Sequence, residues 1–290
     1  MTPPHESRLR VGVIGIGRVG TALARALQRA GHSIVAVNAI SDASRNRVHE
    51  YFPATDITNI ENVIALSDLV LIAVPDDALA ALVEGIASTH GFRTGQLVAH
   101  TSGRYGISVL QPAALQGAFV MALHPAMTFV GTSSDLDRLN ACPFGVTADD
   151  SVIAVAQALV IEMGGEPNVI AEVDRIRYHA ALAHASNHLT TVMAQSISML
   201  SDIGIDHPAD FVRPLVMASA ENAVQRGIAA LTGPISRGDV STVRAHLEEL
   251  PLGIERDTYI ALALATIDAA RIGKRITADE AAALRDVVKR

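Results

Sequence analysis

The 290-residue chain has no tryptophan, only 3% aromatic residues, and a single cysteine, Cys142 in "NACPFGV". One cysteine excludes an internal disulfide and any zinc or iron–sulfur site built from several thiolates. Cys142 reads as a small buried hydrophobe rather than a reactive thiol. Charge is scarce as well, at 18% of residues and a net −7. No basic run with interleaved aromatics occurs, so a nucleic-acid partner is not expected. No apolar run reaches membrane-spanning length, and "MTPPHESRLR" lacks the apolar core of a signal peptide; the expected compartment is the cytosol, with no membrane partner. Aliphatic residues are what the chain has in quantity. A hydrophobic share of 49% and a mean hydropathy of +0.30 argue against disorder and provide a core for two modest domains or one large one.

The first half alternates between strand and helix patterns. "RLRVGVIGIGRVG" opens with a β-rich run, Leu9 to Ile14, that breaks into glycines. "TALARALQRA" follows with apolar residues at helical spacing, and Gly31 ends it as a C-terminal cap. "HSIVAV" is a second strand. "SDLVLIAVP" is the nearly all-apolar strand of a sheet covered on both faces, and "DDALAALVEGIA" is its helix, with Asp76 or Asp77 as cap. "QLVAHTSG", "AFVMALHP" and "CPFGVT" supply more strands. The fold class expected is α/β: an N-terminal doubly wound parallel sheet over residues 1–165, then an all-helical domain over 166–290.

"GIGRVG", spanning Gly15, Ile16, Gly17, Arg18, Val19 and Gly20, is a full G-x-G-x-x-G placed after a strand and opening a helix. In that context the first glycine allows a tight turn and the second lets a diphosphate approach the backbone. The third permits close helix–strand packing, so a dinucleotide is the expected ligand. At the end of the second strand a carboxylate would bond the ribose 2′-OH of NAD. Asn38 stands there instead, with Ser41, Arg45 and Arg47 downstream, which favours NADP; the alternative is that the arginines are solvated and Asp42 takes the ribose. "AVPDD" and "HTSG" end later strands, so Val74, Pro75, Thr101 and Ser102 should border the nicotinamide half. His124 in "ALHPAM" ends another strand toward the same crevice, either as a structural residue or as a substrate contact.

In "RYHAALAHASNH", helical spacing places Tyr178, Leu182, Ala185, Leu189 and Met193 on one apolar stripe assigned to packing. His179, Ala183, Ser186 and Thr190 form a second stripe, flanked by Asn187. His184, His188 and Thr191 lie further round. A metal on His184 and His188 would need a third protein ligand that no nearby motif offers, so no metal is expected. Imidazole titrates near neutrality and can give a proton to a reduced carbonyl. His179 is the candidate acid, or else a core histidine, and His124 is its rival; Asn187 and Ser186 would contact the substrate. In "LTGPISRGD", Gly233 and Pro234 form a turn and Asp239 caps the next helix. Thr232 and Arg237 would meet a substrate carboxylate if that turn faces the cleft.

Together "GIGRVG", "AVPDD", "HTSG", "LHPAMTF", "YHAALAHASN" and "LTGPISRGD" resemble the 6-phosphogluconate-dehydrogenase-like superfamily. More narrowly they resemble a family of short Rossmann-plus-helical proteins with a C-terminal domain of unknown function. The resemblance implies a homodimer formed through the helical domain. Some relatives act as alternative ketopantoate reductases, which make pantoate with NADPH, so it also implies an NADP-dependent reductase of a 2-oxo acid such as ketopantoate. An imine reductase similar to pyrroline-5-carboxylate reductase, or a non-catalytic NADP sensor, are the other readings. The chain departs from the wider superfamily at one position: if Asn187 matches the family's catalytic Asn, the helical Lys four residues before it is Ala183.

Overall fold

The computed structural model describes residues 8–289; residues 1–7, most of the stretch weighed above as a targeting signal, and Arg290 lie outside the described residues. The chain divides into two compact units, residues 1–188 and 189–290.

The first unit runs β1 (Arg10–Ile14), α1 (Arg18–Arg29), β2 (Ser33–Asn38), α2 (Asp42–Tyr51), β3 (Asp56–Ile57), α3 (Ile60–Leu66), β4 (Leu69–Ile72) and α4 (Asp76–Ser88). It continues β5 (Leu97–His100), α5 (Gln111–Ala114), β6 (Phe119–Pro125), α6 (Ser134–Arg138), β7 (Pro143–Ala148), α7 (Ile153–Glu162), β8 (Glu166–Val169) and α8 (Arg175–Ala183). The eight strands form one sheet in the order β3-β2-β1-β4-β5-β6-β7-β8. Side chains alternate across β4: Leu69 and Leu71 join the core beneath α1 and α7, while Val70 and Ile72 join the core with α3 and α4. This two-sided burial explains why β4 is apolar at every position. The strand order reverses at β1, which lies between β2 and β4. In such sheets the crevice at the carboxyl ends of the strands beside that reversal is where ligands bind.

The expected parallel sheet holds through β6 and changes at β7, which pairs antiparallel with β6 and sets His124 opposite Gly145. The connection between them holds only the five-residue α6, too little helix for the crossover that a parallel neighbour requires. The short "EPNV" segment is β8, parallel to β7. This strand and α8, whose Arg175 is fully buried, belong to the first unit, so the structural division falls beyond the 165/166 boundary read from the sequence. Asp76 and Asp77 occupy the first turn of α4, and Pro75 holds the cap position that was expected of an aspartate.

The second unit is helical: α9 (Leu189–Asp202), α10 (Pro208–Arg226), α11 (Val240–Glu249), α12 (Ile254–Ile272) and α13 (Ala278–Val288). Val243, Leu247, Ile267, Leu284 and Val288 centre its core. Asp239 caps α11 as expected, accepting the Thr242 amide at 3.0 Å. α9 and α10 bury no side chain, and Phe211, Leu215, Met217 and Val224 of α10 are exposed.

Candidate active site

The glycine loop between β1 and α1 has the geometry its sequence implies. Gly15 takes φ +95° and a Cβ on it would stand 2.6 Å from the Ala73 oxygen, while a Cβ on Gly20 would meet the Gly15 oxygen. Both positions therefore require glycine for the backbone itself. Gly17 differs, because apart from its own chain neighbours no described heavy atom lies within 4 Å of where its Cβ would be. It is also the N-cap of α1 and supplies no side-chain cap, so the helix presents bare amides toward open space.

Asn38 ends β2 and donates through Nδ2 to the Thr58 carbonyl at 2.9 Å. Ser41 caps α2, accepting the Ser44 amide at 3.2 Å. Arg45 is exposed on α2. Arg47 turns back to donate to the Ile16 carbonyl in the glycine loop at 3.3 Å.

Beyond the strand ends, the loop residues Gly17, Arg18 and Val19 share a cavity of about 430 Å³ with Val74 and Pro75, with Thr101 and Ser102, and with His124 and His179. An adjoining cavity of about 500 Å³ is lined by the same two histidines and by Leu182, Ala183, Ser186 and Asn187. Thus Gly17 to Val19, Val74, Pro75, Thr101 and Ser102 meet His124 and His179 at one cavity, Ser186 and Asn187 line its neighbour, and Asn38, Ser41 and Arg45 line neither. The loop after β5 is pinned by buried His100, whose Nδ1 accepts the Ser102 amide at 3.1 Å and whose Nε2 donates to the Gly106 carbonyl at 2.7 Å. Burial holds His100 neutral, with a pKa lowered to about 4.

His124 and His179 stand edge to face with ring centroids 5.9 Å apart. A Cβ on Gly103 would meet His179 Cδ2 at 2.5 Å and His124 Nε2 at 2.8 Å, so glycine there lets both rings approach the loop. Burial, and after it the neighbouring His179, Arg175 and His100, lowers the His124 pKa to about 4. His124 is therefore a neutral imidazole at physiological pH.

Tyr178 corrects the sequence reading. It was assigned to an apolar packing stripe, yet its Oη lies 2.9 Å from His124 Nδ1. α8 ends at Ala183, and residues 184–188 form a turn of π-helix before α9. His179, Ala183 and Ser186 line one cavity with Asn187, and Leu182 and Ala185 of the packing stripe line it too. His184 and His188 pair with each other through Nδ1 atoms 2.8 Å apart and are exposed. Among the described residues no cluster of three or more His, Cys, Asp or Glu side chains could hold a metal ion.

Arg175 was not singled out from the sequence, since a charged residue in "DRIRYH" reads as solvated. It is 1% exposed. Nε donates to Thr147 Oγ1 at 2.7 Å and Nη2 to the carbonyls of Ala122 and Gly145 at 3.1 and 3.2 Å, while Nη1 has no partner. Its guanidinium lies 5.8 Å from the Tyr178 ring centroid. In the second unit Thr232 and Arg237 are exposed, flanking the turn that holds Gly233 and Pro234.

Residues 2–125 match the model of a Rossmann-like domain, and residues 142–266 match a domain of unknown function (DUF2520). The chain belongs to the short Rossmann-plus-helical family that carries this C-terminal domain. Among solved structures it is similar to a candidate NADP oxidoreductase from Bacteroides fragilis, at 23% identity and TM-score 0.75 over 89% of this chain and 98% of the other. It is also similar to a Thermotoga maritima protein, at 20% identity and TM-score 0.70 over 90% and 99%. An imine reductase from Myxococcus stipitatus in complex with NADP+ aligns at 16% identity and TM-score 0.59 over 97% and 93%. At such identities the likeness is one of fold. No curated protein matches the chain. Among the described residues no helix is long and apolar enough to cross a membrane.

Proposed function

We propose that this family member is an NADP-dependent oxidoreductase that reduces a C=O or C=N bond of a small molecule. The observation that carries the reading is the convergence of the glycine loop, Val74–Pro75, Thr101–Ser102, His124 and His179 on one cavity. The space at Gly17 and the bare start of α1 fit a diphosphate. Gly15 to Gly20 would hold it, with Val74, Pro75, Thr101 and Ser102 toward the nicotinamide and Asn38, Ser41 and Arg45 toward the 2′-phosphate. A bound reduced nicotinamide supplies a hydride. The NADP-bound imine reductase with the same fold supports this choice of cofactor.

Neutral His124 would then act as a hydrogen-bond donor that polarises the reacting heteroatom and gives it a proton. His179 would close the other side of that atom, with Asn187 and Ser186 orienting the substrate. For the substrate, a 2-oxo acid such as ketopantoate remains the first reading. A cyclic imine is the second, favoured by Ala183, which lines the cavity and offers no proton; a protonated imine needs none. The bare apolar side chains of α10 favour a homodimer, to be seen in light scattering as twice the chain mass; a monomer at micromolar concentration would refute it.

The test is oxidation of NADPH, followed optically, with ketopantoate, other 2-oxo acids and cyclic imines, NADH being run in parallel. Turnover with a preference for NADPH is expected. Tight NADPH binding with no turnover across the panel would replace the enzyme by a nucleotide sensor.

A further inference from the structure

We propose that Tyr178 forms a proton relay behind His124, with buried Arg175 steadying the charge left on the phenol, so that the imidazole stays neutral while it hands a proton forward. The inference rests on the reductase reading for its purpose, but its geometry stands apart from any substrate. Tyr178 Oη and His124 Nδ1 are 2.9 Å apart, while Nε2, on the far side of the ring, faces Gly103 and the cavity. Burial pushes the phenol pKa up, opposed by the Arg175 charge and the nearby Gly145 amide. In the relay the phenol is the donor and Nδ1 the acceptor of this bond, so the ring hydrogen sits on Nε2 and is aimed into the cavity.

Arg175 is the part that packing alone does not explain. A buried charge costs several kcal/mol unless paired, and no carboxylate among the described residues lies in salt-bridge distance of it. It faces the Tyr178 ring instead, with one guanidinium nitrogen unpartnered.

The step balances as follows. As hydride adds to the substrate carbon, the π pair of a C=O, or of a C=N that arrives unprotonated, moves to the heteroatom and takes the proton of His124 Nε2. That N–H bond breaks while Nδ1 accepts the phenolic proton of Tyr178. The imidazole passes from one neutral tautomer to the other. The negative charge comes to rest on the Tyr178 oxygen, beside the Gly145 amide and Arg175. A proton from water resets the phenol and reverses the tautomer.

The experiment is a long-range proton–nitrogen spectrum of the 15N-labelled full chain at pH 7, without cofactor or substrate, so that failure of the relay and failure of the reductase reading are separate results. The wild type is expected to show His124 with Nε2 protonated and Nδ1 as acceptor. Tyr178→Phe should lose that single tautomer, its two nitrogen shifts converging. Should Tyr178→Phe not fold, Gly145→Ala is read in its place, since a Cβ there would stand 2.7 Å from the phenol oxygen and displace it. A wild-type His124 protonated on Nδ1, or an unchanged pattern in the folded variant, would overturn the proposal. Where turnover is found, a solvent-isotope series should report two protons in flight in the wild type and one in the variant. One proton in both would also overturn it.

Discussion

His100 and His124 make the clearest demand at the scale of single residues, because both are held neutral by burial, their pKa values lowered from 6.5 to about 4. Below 6.5 the unfolded chain takes up a proton at each, and the folded chain does so only near 4. Stability should therefore fall as pH drops from 6.5 to 4, by about 1.4 kcal/mol per pH unit for each histidine, and then level off for these two groups. Urea midpoints at pH 7, 5.5 and 4.5 would show the loss, and His124→Gln should halve its slope. A flat midpoint across that window would mean the two rings are solvated. His124 was legible in the sequence as a strand-end histidine, because its position followed from the β pattern alone. Its partners were not: Tyr178 looked apolar by spacing and Arg175 looked solvated by charge. Both depend on β7 running back beside β6, a pairing that no local pattern encodes.

At the scale of elements, the glycine loop gives two opposite expectations from one motif. Gly20→Ala forces a methyl against the Gly15 oxygen, which should cost on the order of 1–3 kcal/mol in a denaturation curve. Gly17→Ala meets nothing within 4 Å apart from its own chain neighbours, so it should fold as the wild type does while weakening NADPH at least ~10-fold in a fluorescence titration, equivalent to about 1.4 kcal/mol. Equal NADPH affinity in Gly17→Ala would place the diphosphate elsewhere. β1, β2, β4, β5 and β6 were readable because burial writes apolar runs that glycines and turns punctuate, whereas the two-residue β3 (Asp56–Ile57) leaves no such run. The helix over residues 175–202 was readable as a helix, and His179, Ala183 and Ser186 of one drawn stripe share a cavity with Asn187. The π-turn at 184–188 adds a backbone shift that residue spacing does not carry, and Ala185, drawn on the packing stripe, lines that cavity as well.

For the whole molecule, the order of domains followed from composition: β patterns first, then helices punctuated by "GIDHPAD", "LTGPISRGD" and "LPLGIERD". The boundary did not, because β8 and α8 gain their place from pairing with β7 and from burying Arg175, both long-range effects. The family match over both halves of the chain fixes the architecture, and the chemistry rests on the first unit's crevice. The central claim is that His124 donates to the reacting heteroatom there. It is tested most directly by comparing His124→Ala with the wild type on whichever carbonyl or imine the NADPH assay accepts, with NADPH affinity measured on the same samples. The expected result is a fall in kcat of about 10²-fold or more with the NADPH Kd unchanged. An unaltered kcat would contradict the account and remove His124 from the reaction.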